Sequence, residues 1–305
     1  MLFRGGVALD LPLARSALDR DYLARTRPEL FDELWSDPTT RVLALFENSV
    51  LLDNGSLKLL PIESVPSANY RVYLGRDSIG PIVLAVLNEN AAKQLEPAAE
   101  NWHQLRKTGA GLDDRDAGLF VQALALANWH SNHQHCPRCG TPTLVEAGGW
   151  VRRCFKDDSE HYPRTDPAVI VAIVDEQDRI LLGSQGAWEE NRWSILAGFV
   201  EPGESLEAAV VREMFEEAGV EVDDPNYLGS QSWPFPYSLM LGFAARAKTT
   251  DLRPDGDEIE KLRWFSREEL AAEAPNLLLP NRISIARAII ELWFGGELVS
   301  ASELR

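Results

Sequence analysis

The run Ala168–Val174 is apolar throughout and is bounded by Pro167 and Asp175. It predicts a strand, as do "RILLG", "WSILAGFV", "YSLMLGFAARA" and "KLRWFS" further on. Between the third and fourth of these the period changes. Leu206, Val210 and Met214 recur at helical spacing, Ser205 can N-cap the helix, and Gly219 can end it. A second helix is expected near the C-terminus, with Ile283, Ala286, Ile290 and Trp293 on one stripe and Gly295 as its stop. Upstream, "RVLALFENSVLLD" and "NYRVYLGRDSIGPIVLAVL" predict strands. "NENAAKQLEPAAENWHQLRKTG" predicts a helix up to Pro97 and a further helical stretch after it. "DDRDAGLFVQALALANWHSNH" predicts a helix with an Asp N-cap and a stripe of Leu119, Ala123, Leu124 and Ala127. Residues 131–165 lack any such period and are rich in Cys, His, Gly, Pro and charge. The pattern divides the chain into an N-terminal α+β domain (1–127), a small segment (128–165) and a second α/β domain (166–305).

Composition narrows the class. The 305 residues suffice for two domains and an insert, and 45% hydrophobic with 25% charged residues is ordinary for a globular chain. The absence of long apolar runs and the charge-broken N-terminus point to a cytoplasmic protein without a membrane span. A formal charge of −17 disfavours loose attraction to nucleic acid or an anionic membrane. A small anionic substrate stays open, because bound divalent cations reverse the local sign.

The three cysteines all lie between 136 and 154, which makes a poor disulfide framework and a better metal site. In "CPRCG", Cys136 and Cys139 can share one tetrahedral ion, with Gly140 permitting the tight turn. Cys154 suits the second half of a zinc ribbon. Asp157 stands where a fourth cysteine would, and His161 is the chemically better zinc ligand at longer spacing. Asp158, His133 and His135 are further candidates. Packing without metal is the other way to hold such a ribbon.

On the central helix Glu213, Glu216 and Glu217 project to one side, away from the apolar stripe. Three carboxylates on one face suit hard divalent cations, although a solvated acidic face carries the same charges. The surrounding string decides between these. Gly198, Glu204, Arg212-Glu213, Met214, Glu216-Glu217, Gly219 and Val220 fill every specified position of a pattern that resembles the Nudix box, G-x5-E-x7-R-E-U-x-E-E-x-G-U. The resemblance implies an α/β/α sandwich whose loop–helix–loop binds Mg²⁺ or Mn²⁺, roughly two or three ions per site, and cleaves nucleoside diphosphates linked to another group. It implies Glu213, Glu216 and Glu217 as metal ligands, Glu217 being the most rate-sensitive. The carbonyl of Ala197 is a further ligand, and Arg212 orients Glu204.

Beyond the box, "SQSWPFPYS" (230–238) matches seven of nine positions of the S-Q-P-W-P-F-P-Q-S array of the NADH pyrophosphatases. Ser232 and Tyr237 depart from it. Two prolines stiffen the stretch, and Trp233 and Phe235 offer flat faces to a heterocycle or to the core. A zinc ribbon directly before a Nudix domain is that family's layout, and "HYPRTDP" (161–167) is similar to its joint between the two. The resemblance implies Phe199, Tyr162, Gln231, Trp233, Phe235 and Ser238 as substrate-binding residues. It implies a homodimer in which Tyr162 reaches the partner's site, one structural Zn²⁺, and Glu258 of "DGDEIEKLRWF" as one further metal ligand.

The implied activity is metal-dependent hydrolysis of the central pyrophosphate of NAD(H), giving nicotinamide mononucleotide and AMP. Removal of the NAD cap from the 5′ end of RNA keeps the same chemistry, as does hydrolysis of ADP-ribose. A nucleic-acid-binding regulator built on the zinc ribbon is the alternative from another class.

Overall fold

The computed structural model describes residue 9 and residues 11–303. These form two compact units. One is Leu13–Thr165 together with Trp233–Tyr237. The other is Asp166–Ser232 and the residues from Ser238 on, with Leu11 and Pro12.

The second unit is built on a mixed sheet. Its strand order is Val222–Trp233, Ser238–Ala247, Asp166–Val174, Ile180–Ser184, Lys261–Phe265. Leu196–Phe199 also pairs with Asp166–Val174. The central pair runs parallel, from Asp166 opposite Ser238 to Val174 opposite Arg246. Alternate residues of the apolar run face opposite ways. Val169, Val171 and Ile173 pack with Ala209, Val210, Met214 and Ala218 of the helix Leu206–Ala218. Ile170, Ala172 and Val174 pack with Ile285, Ala286, Ile289, Ile290 and Trp293 of the helix Ile285–Phe294. Helices on both faces leave this strand no solvated side, which is why its sequence does not alternate. Val210 and Met214 are fully buried, each contributing roughly 1.5–3 kcal/mol relative to exposure. The result is an α/β/α sandwich.

Both helices start and stop where the sequence indicates. Ser205 Oγ accepts from the Ala208 N–H at 3.1 Å, and Ser284 Oγ from Ala286 at 3.2 Å. Gly219 (φ 70°) and Gly295 (φ 88°) end them in the left-handed region, where a Cβ is strained.

In the first unit Arg41–Phe46 is the centre of a second mixed sheet. It pairs antiparallel with Ser49–Asp53 and Leu59–Pro61 and parallel with Pro81–Val86. Tyr70–Arg76 extends the sheet beyond Pro81–Val86. The segment after Pro97 departs from expectation. A 3₁₀ turn (Ala99–Asn101) leads into a strand, Trp102–Gln104, that pairs with Ser49–Leu51, and only one helical turn follows, Leu105–Thr108. Tertiary pairing overrides local propensity there. Trp102 packs edge-on to Phe46 and donates its indole N–H to the Glu96 carbonyl at 3.2 Å.

The helix Asp114–Asn132 is capped by Asp113, whose carboxylate accepts from the Asp116 N–H at 2.8 Å. It is joined to a three-stranded ribbon of Thr143–Glu146, Val151–Cys154 and Glu160–His161. Buried Arg152 donates to Thr143 Oγ1 and, at 2.9 Å, to His130 Nδ1, and His130 Nε2–H donates to the Gly149 carbonyl at 2.8 Å. Burial first, and then the Arg152 charge, keeps His130 neutral, with its pKa lowered to about 4. Among the described residues no helix is long and apolar enough to cross a membrane.

Candidate metal and active site

The helix Leu206–Ala218 presents its carboxylates against the strand Leu196–Phe199. Arg212 is the hub. Its guanidinium grips Glu204 with two bonds, 2.6 and 2.9 Å, and donates to the Phe199 carbonyl at 2.9 Å. It also pairs with Glu213 and Glu216, each at 2.9 Å. Five N–H donors in a planar fork make this multiple contact possible, which a lysine could not reproduce. The Arg212 bond is the main reason Glu204 is held ionised, down to about 2. The chain therefore ties the loop, the strand and the helix through one side chain.

Glu217 differs from its neighbours. Only 5% exposed, it leaves Oε2 buried with no hydrogen-bond partner. Burial, then the charges of Glu213, Glu258, Asp255 and Glu216, pushes its pKa up to about 8. Burial also raises Glu213. A buried, unpartnered carboxylate oxygen surrounded by like charges is costly alone and fits a bound divalent cation. Gly198 makes room for this set, since a Cβ there would collide with the Glu213 carboxyl. Glu216 and Glu258 are exposed. Ala197 lies in the strand Leu196–Phe199, opposite Ile170.

Asp255, which the sequence reading did not single out, orders the loop that carries Glu258. Its carboxylate accepts from the N–H groups of Asp257 (3.2 Å), Glu258 (3.4 Å) and Ile259 (2.8 Å). The Asp-Gly-Asp sequence is a turn signal that could have indicated it.

The ribbon brings Cys136, Cys139, Cys154 and Asp157 together, their ligand atoms all within 4.8 Å of one another. Two tight turns do this. Gly140 N–H donates to the Cys136 carbonyl, and Asp158 N–H to the Cys154 carbonyl, both at 2.9 Å. Ser159 donates to Asp157 Oδ1 through its hydroxyl (2.6 Å) and its N–H (3.1 Å). His161 Nε2 lies 3.1 Å from the Ser159 hydroxyl, and its ring also reaches the Cys136 sulfur. The donor set, three sulfurs and one oxygen, suits a single tetrahedral ion.

Comparison with known proteins matches this layout. A model of the NUDIX domain matches residues 164–287, one of the NADH pyrophosphatase zinc ribbon domain residues 131–162, and one of the NADH pyrophosphatase-like rudimentary NUDIX domain residues 39–129. A relative from Mycobacterium tuberculosis, NAD-capped RNA hydrolase NudC, is 40% identical over 303 residues, 92% of this chain and 94% of that protein. The chain is a Nudix hydrolase of the NADH pyrophosphatase family. The Homo sapiens protein NAD-capped RNA hydrolase NUDT12 is 36% identical over 220 residues, 67% of this chain and 48% of that one. The crystal structure of a NUDIX hydrolase from Nitrosomonas europaea covers 55% of this chain and 96% of that chain at 24% identity, with a TM-score of 0.43.

In this Nudix hydrolase the remaining residues singled out from sequence fall into two groups. Phe199 and Tyr162 are both well exposed, and the Tyr162 hydroxyl donates to Glu160. Gln231 is buried instead, and its amide donates to the Ile283 carbonyl at 2.8 Å. Ser238 opens its strand opposite Asp166 and is half-buried. Trp233 and Phe235 meet edge to face at 5.0 Å in a hairpin that clusters with the first unit.

Proposed function

We propose that this Nudix hydrolase cleaves the central pyrophosphate of NAD(H), giving nicotinamide mononucleotide and AMP, with Mg²⁺ or Mn²⁺ held by Glu213, Glu216, Glu217, Glu258 and the Ala197 carbonyl. The observation that carries the reading is Glu217: a buried carboxylate with an unpartnered oxygen, in the field of four other carboxylates. Divalent cations bound there supply neutralisation of the diphosphate charge and acidify the attacking water. The chain's own work is positional. Arg212 fixes Glu204, Glu213 and Glu216 relative to the Phe199 carbonyl, and Gly198 leaves space for the Glu213 carboxyl. Phosphoryl chemistry depends mainly on such alignment and charge placement.

Phe199 offers an exposed ring to a base, and Tyr162, also exposed, offers a second from the partner subunit of a homodimer. Trp233 and Phe235 bind the substrate's other planar surface. Gln231 and Ser238 complete the set, Gln231 by bracing the Ile283 carbonyl. The same bond occurs at the 5′ end of NAD-capped RNA, and the names of the relatives favour that substrate as a second reading.

In the ribbon one Zn²⁺ is held by Cys136, Cys139, Cys154 and Asp157. Asp157 acts through Oδ2, since Ser159 occupies Oδ1, and the four ligand atoms that lie within 4.8 Å of one another include Asp157 and not His161. Cobalt substitution checks this: Asp157→Ala is expected to change the visible spectrum, while His161→Ala leaves it unchanged.

The deciding experiment is product analysis of NADH and of NAD-capped RNA with Mg²⁺ or Mn²⁺. Reduced nicotinamide mononucleotide with AMP is expected from NADH, and nicotinamide mononucleotide with 5′-monophosphate RNA from the capped RNA. Release of nicotinamide or of inorganic phosphate would show that a different bond is cut.

A further inference from the structure

Glu213, Glu216 and Glu217 are placed by a helix, but Glu258 comes from an exposed loop. That loop is tied at both ends to the unit that carries the helix. Arg253 N–H donates to the carbonyl of Ala218, the last residue of the helix Leu206–Ala218, at 2.8 Å. At the other end Ile259 is buried in the same core cluster as Val210 and Met214, and Glu260 N–H donates to the Ser184 carbonyl at 2.9 Å.

Between these anchors residues 254–258 are exposed, and Asp255 shapes the turn. Its Oδ1 accepts from the N–H groups of Asp257 and Ile259, and its Oδ2 from that of Glu258. Gly256, at φ 82°, adds a bond from its N–H to the Ile259 carbonyl at 3.1 Å. Both oxygens of Asp255 are thus turned into the loop, as an orienting group and not as a ligand. One side chain joins the backbone of exposed Glu258 to that of buried Ile259. The charge of Glu258 acts on both Glu213 and Glu217, so the turn delivers it beside the helix's carboxylates. A loop glutamate that had to be ordered on binding a cation would lose conformational entropy, and a turn already set removes that cost.

We propose that Asp255 is a positioning residue that holds Glu258 beside the helix's glutamates and so sets how tightly the site binds divalent cations. The inference rests on the reading of Glu213, Glu216, Glu217 and Glu258 as metal ligands.

The test titrates Mn²⁺ binding without substrate, by electron paramagnetic resonance. Wild type is compared with Asp255→Ala, with Asp255→Asn, which keeps Oδ1 as an acceptor and removes the charge, with Glu258→Gln, and with the double variant of Asp255→Ala and Glu258→Gln. NADH hydrolysis is followed in each as a function of Mn²⁺. Asp255→Ala is expected to weaken Mn²⁺ binding by roughly tenfold, as loss of a group that orients a ligand does. Saturating Mn²⁺ should return kcat to within about twofold of wild type with KM for NADH unchanged. Asp255→Asn should recover most of the affinity, and in the Glu258→Gln background Asp255→Ala should add little. Additive losses in the double variant would overturn the proposal, because Asp255 would then act other than through Glu258. Equal losses in Asp255→Asn and Asp255→Ala would also overturn it, since they mark the charge alone. A loss in Glu258→Gln with none in Asp255→Ala would sink the inference and leave the metal reading standing. Binding untouched by Glu258→Gln would sink the assignment of Glu258 as a ligand, and the inference with it. If wild type binds Mn²⁺ but cleaves neither NADH nor NAD-capped RNA, the substrate reading fails, and the titrations still decide the role of Asp255.

Discussion

In the N-terminal sheet Arg41–Phe46 lies antiparallel to Ser49–Asp53 and Leu59–Pro61 and parallel to Pro81–Val86. In the Nudix sheet Asp166–Val174 lies antiparallel to Ile180–Ser184 and Leu196–Phe199 and parallel to Ser238–Ala247. The outer strands correspond as well: Trp102–Gln104 on Ser49–Asp53, and Lys261–Phe265 on Ile180–Ser184. The two regions part after the third strand of each. There the Nudix sheet carries the helix Leu206–Ala218, whereas the N-terminal sheet has a 3₁₀ turn, Ile62–Ser64, and an irregular segment to the next strand. A carboxylate cluster at positions i, i+3 and i+4 needs consecutive helical turns to converge, and one 3₁₀ turn cannot supply them. The shared wiring is thus a scaffold, and the chemistry resides in one loop–helix insertion. The N-terminal region retains the sheet without the insertion, which is what a rudimentary NUDIX domain means in physical terms.

The comparison can be broken or sharpened by mutation. The largest effect is expected at Glu217. Glu217→Gln should lower kcat for NADH hydrolysis by roughly 100-fold or more without loss of folding, because it removes a charge that bound metal requires. Near-wild-type turnover in a folded variant would show that the buried carboxylate is not part of the reaction.

Gly198→Ala should come next. The new Cβ displaces the Glu213 carboxyl, so turnover should drop by about tenfold or more while circular dichroism stays native. Full activity would mean that Glu213 can work from another position.

A smaller effect concerns pH. Glu217 is raised to about 8 from an ordinary 4.5. Between these values the folded chain binds a proton that the unfolded chain does not. The contribution of this one group to stability is therefore full below about pH 4.5 and is lost as pH rises through 8, at most roughly 5 kcal/mol in all. In divalent-free buffer the melting temperature of wild type should fall more steeply from pH 5 to 8 than that of Glu217→Gln. Added Mg²⁺ should stabilise wild type most at pH 8. Parallel curves for the two proteins would refute the origin assigned to the shift.

The smallest effect is expected in the N-terminal region. Glu63 lies in the 3₁₀ turn that replaces the helix and is exposed. Glu63→Gln should leave turnover within about twofold, as expected of a surface position away from the chemistry. A large loss would give the N-terminal sheet a catalytic part that its short turn does not suggest.

Much of this protein is readable along the chain. The Nudix string gave the helix Leu206–Ala218, its Ser205 cap, its Gly219 stop and the identity of its glutamates, because these features are local and depend on residues a few positions apart. The metal knuckle of Cys136 and Cys139 is local for the same reason. Other features required the folded chain. Trp102–Gln104 became a strand because Ser49–Leu51 lies beside it, which no window around Pro97 reveals. The likeness of the two sheets is carried by pairing, and burial asks only that a strand be apolar, so no residue repeat records it. The unequal roles of the glutamates also depend on tertiary structure. Spacing places Glu213, Glu216 and Glu217 on one side of a helix, but packing against Leu196–Phe199 decides that Glu217 is buried with an unpartnered oxygen while Glu216 faces solvent. Sequence fixes which groups are present and how near neighbours are spaced. Burial, and with it the strength of every charge, depends on what packs across from them.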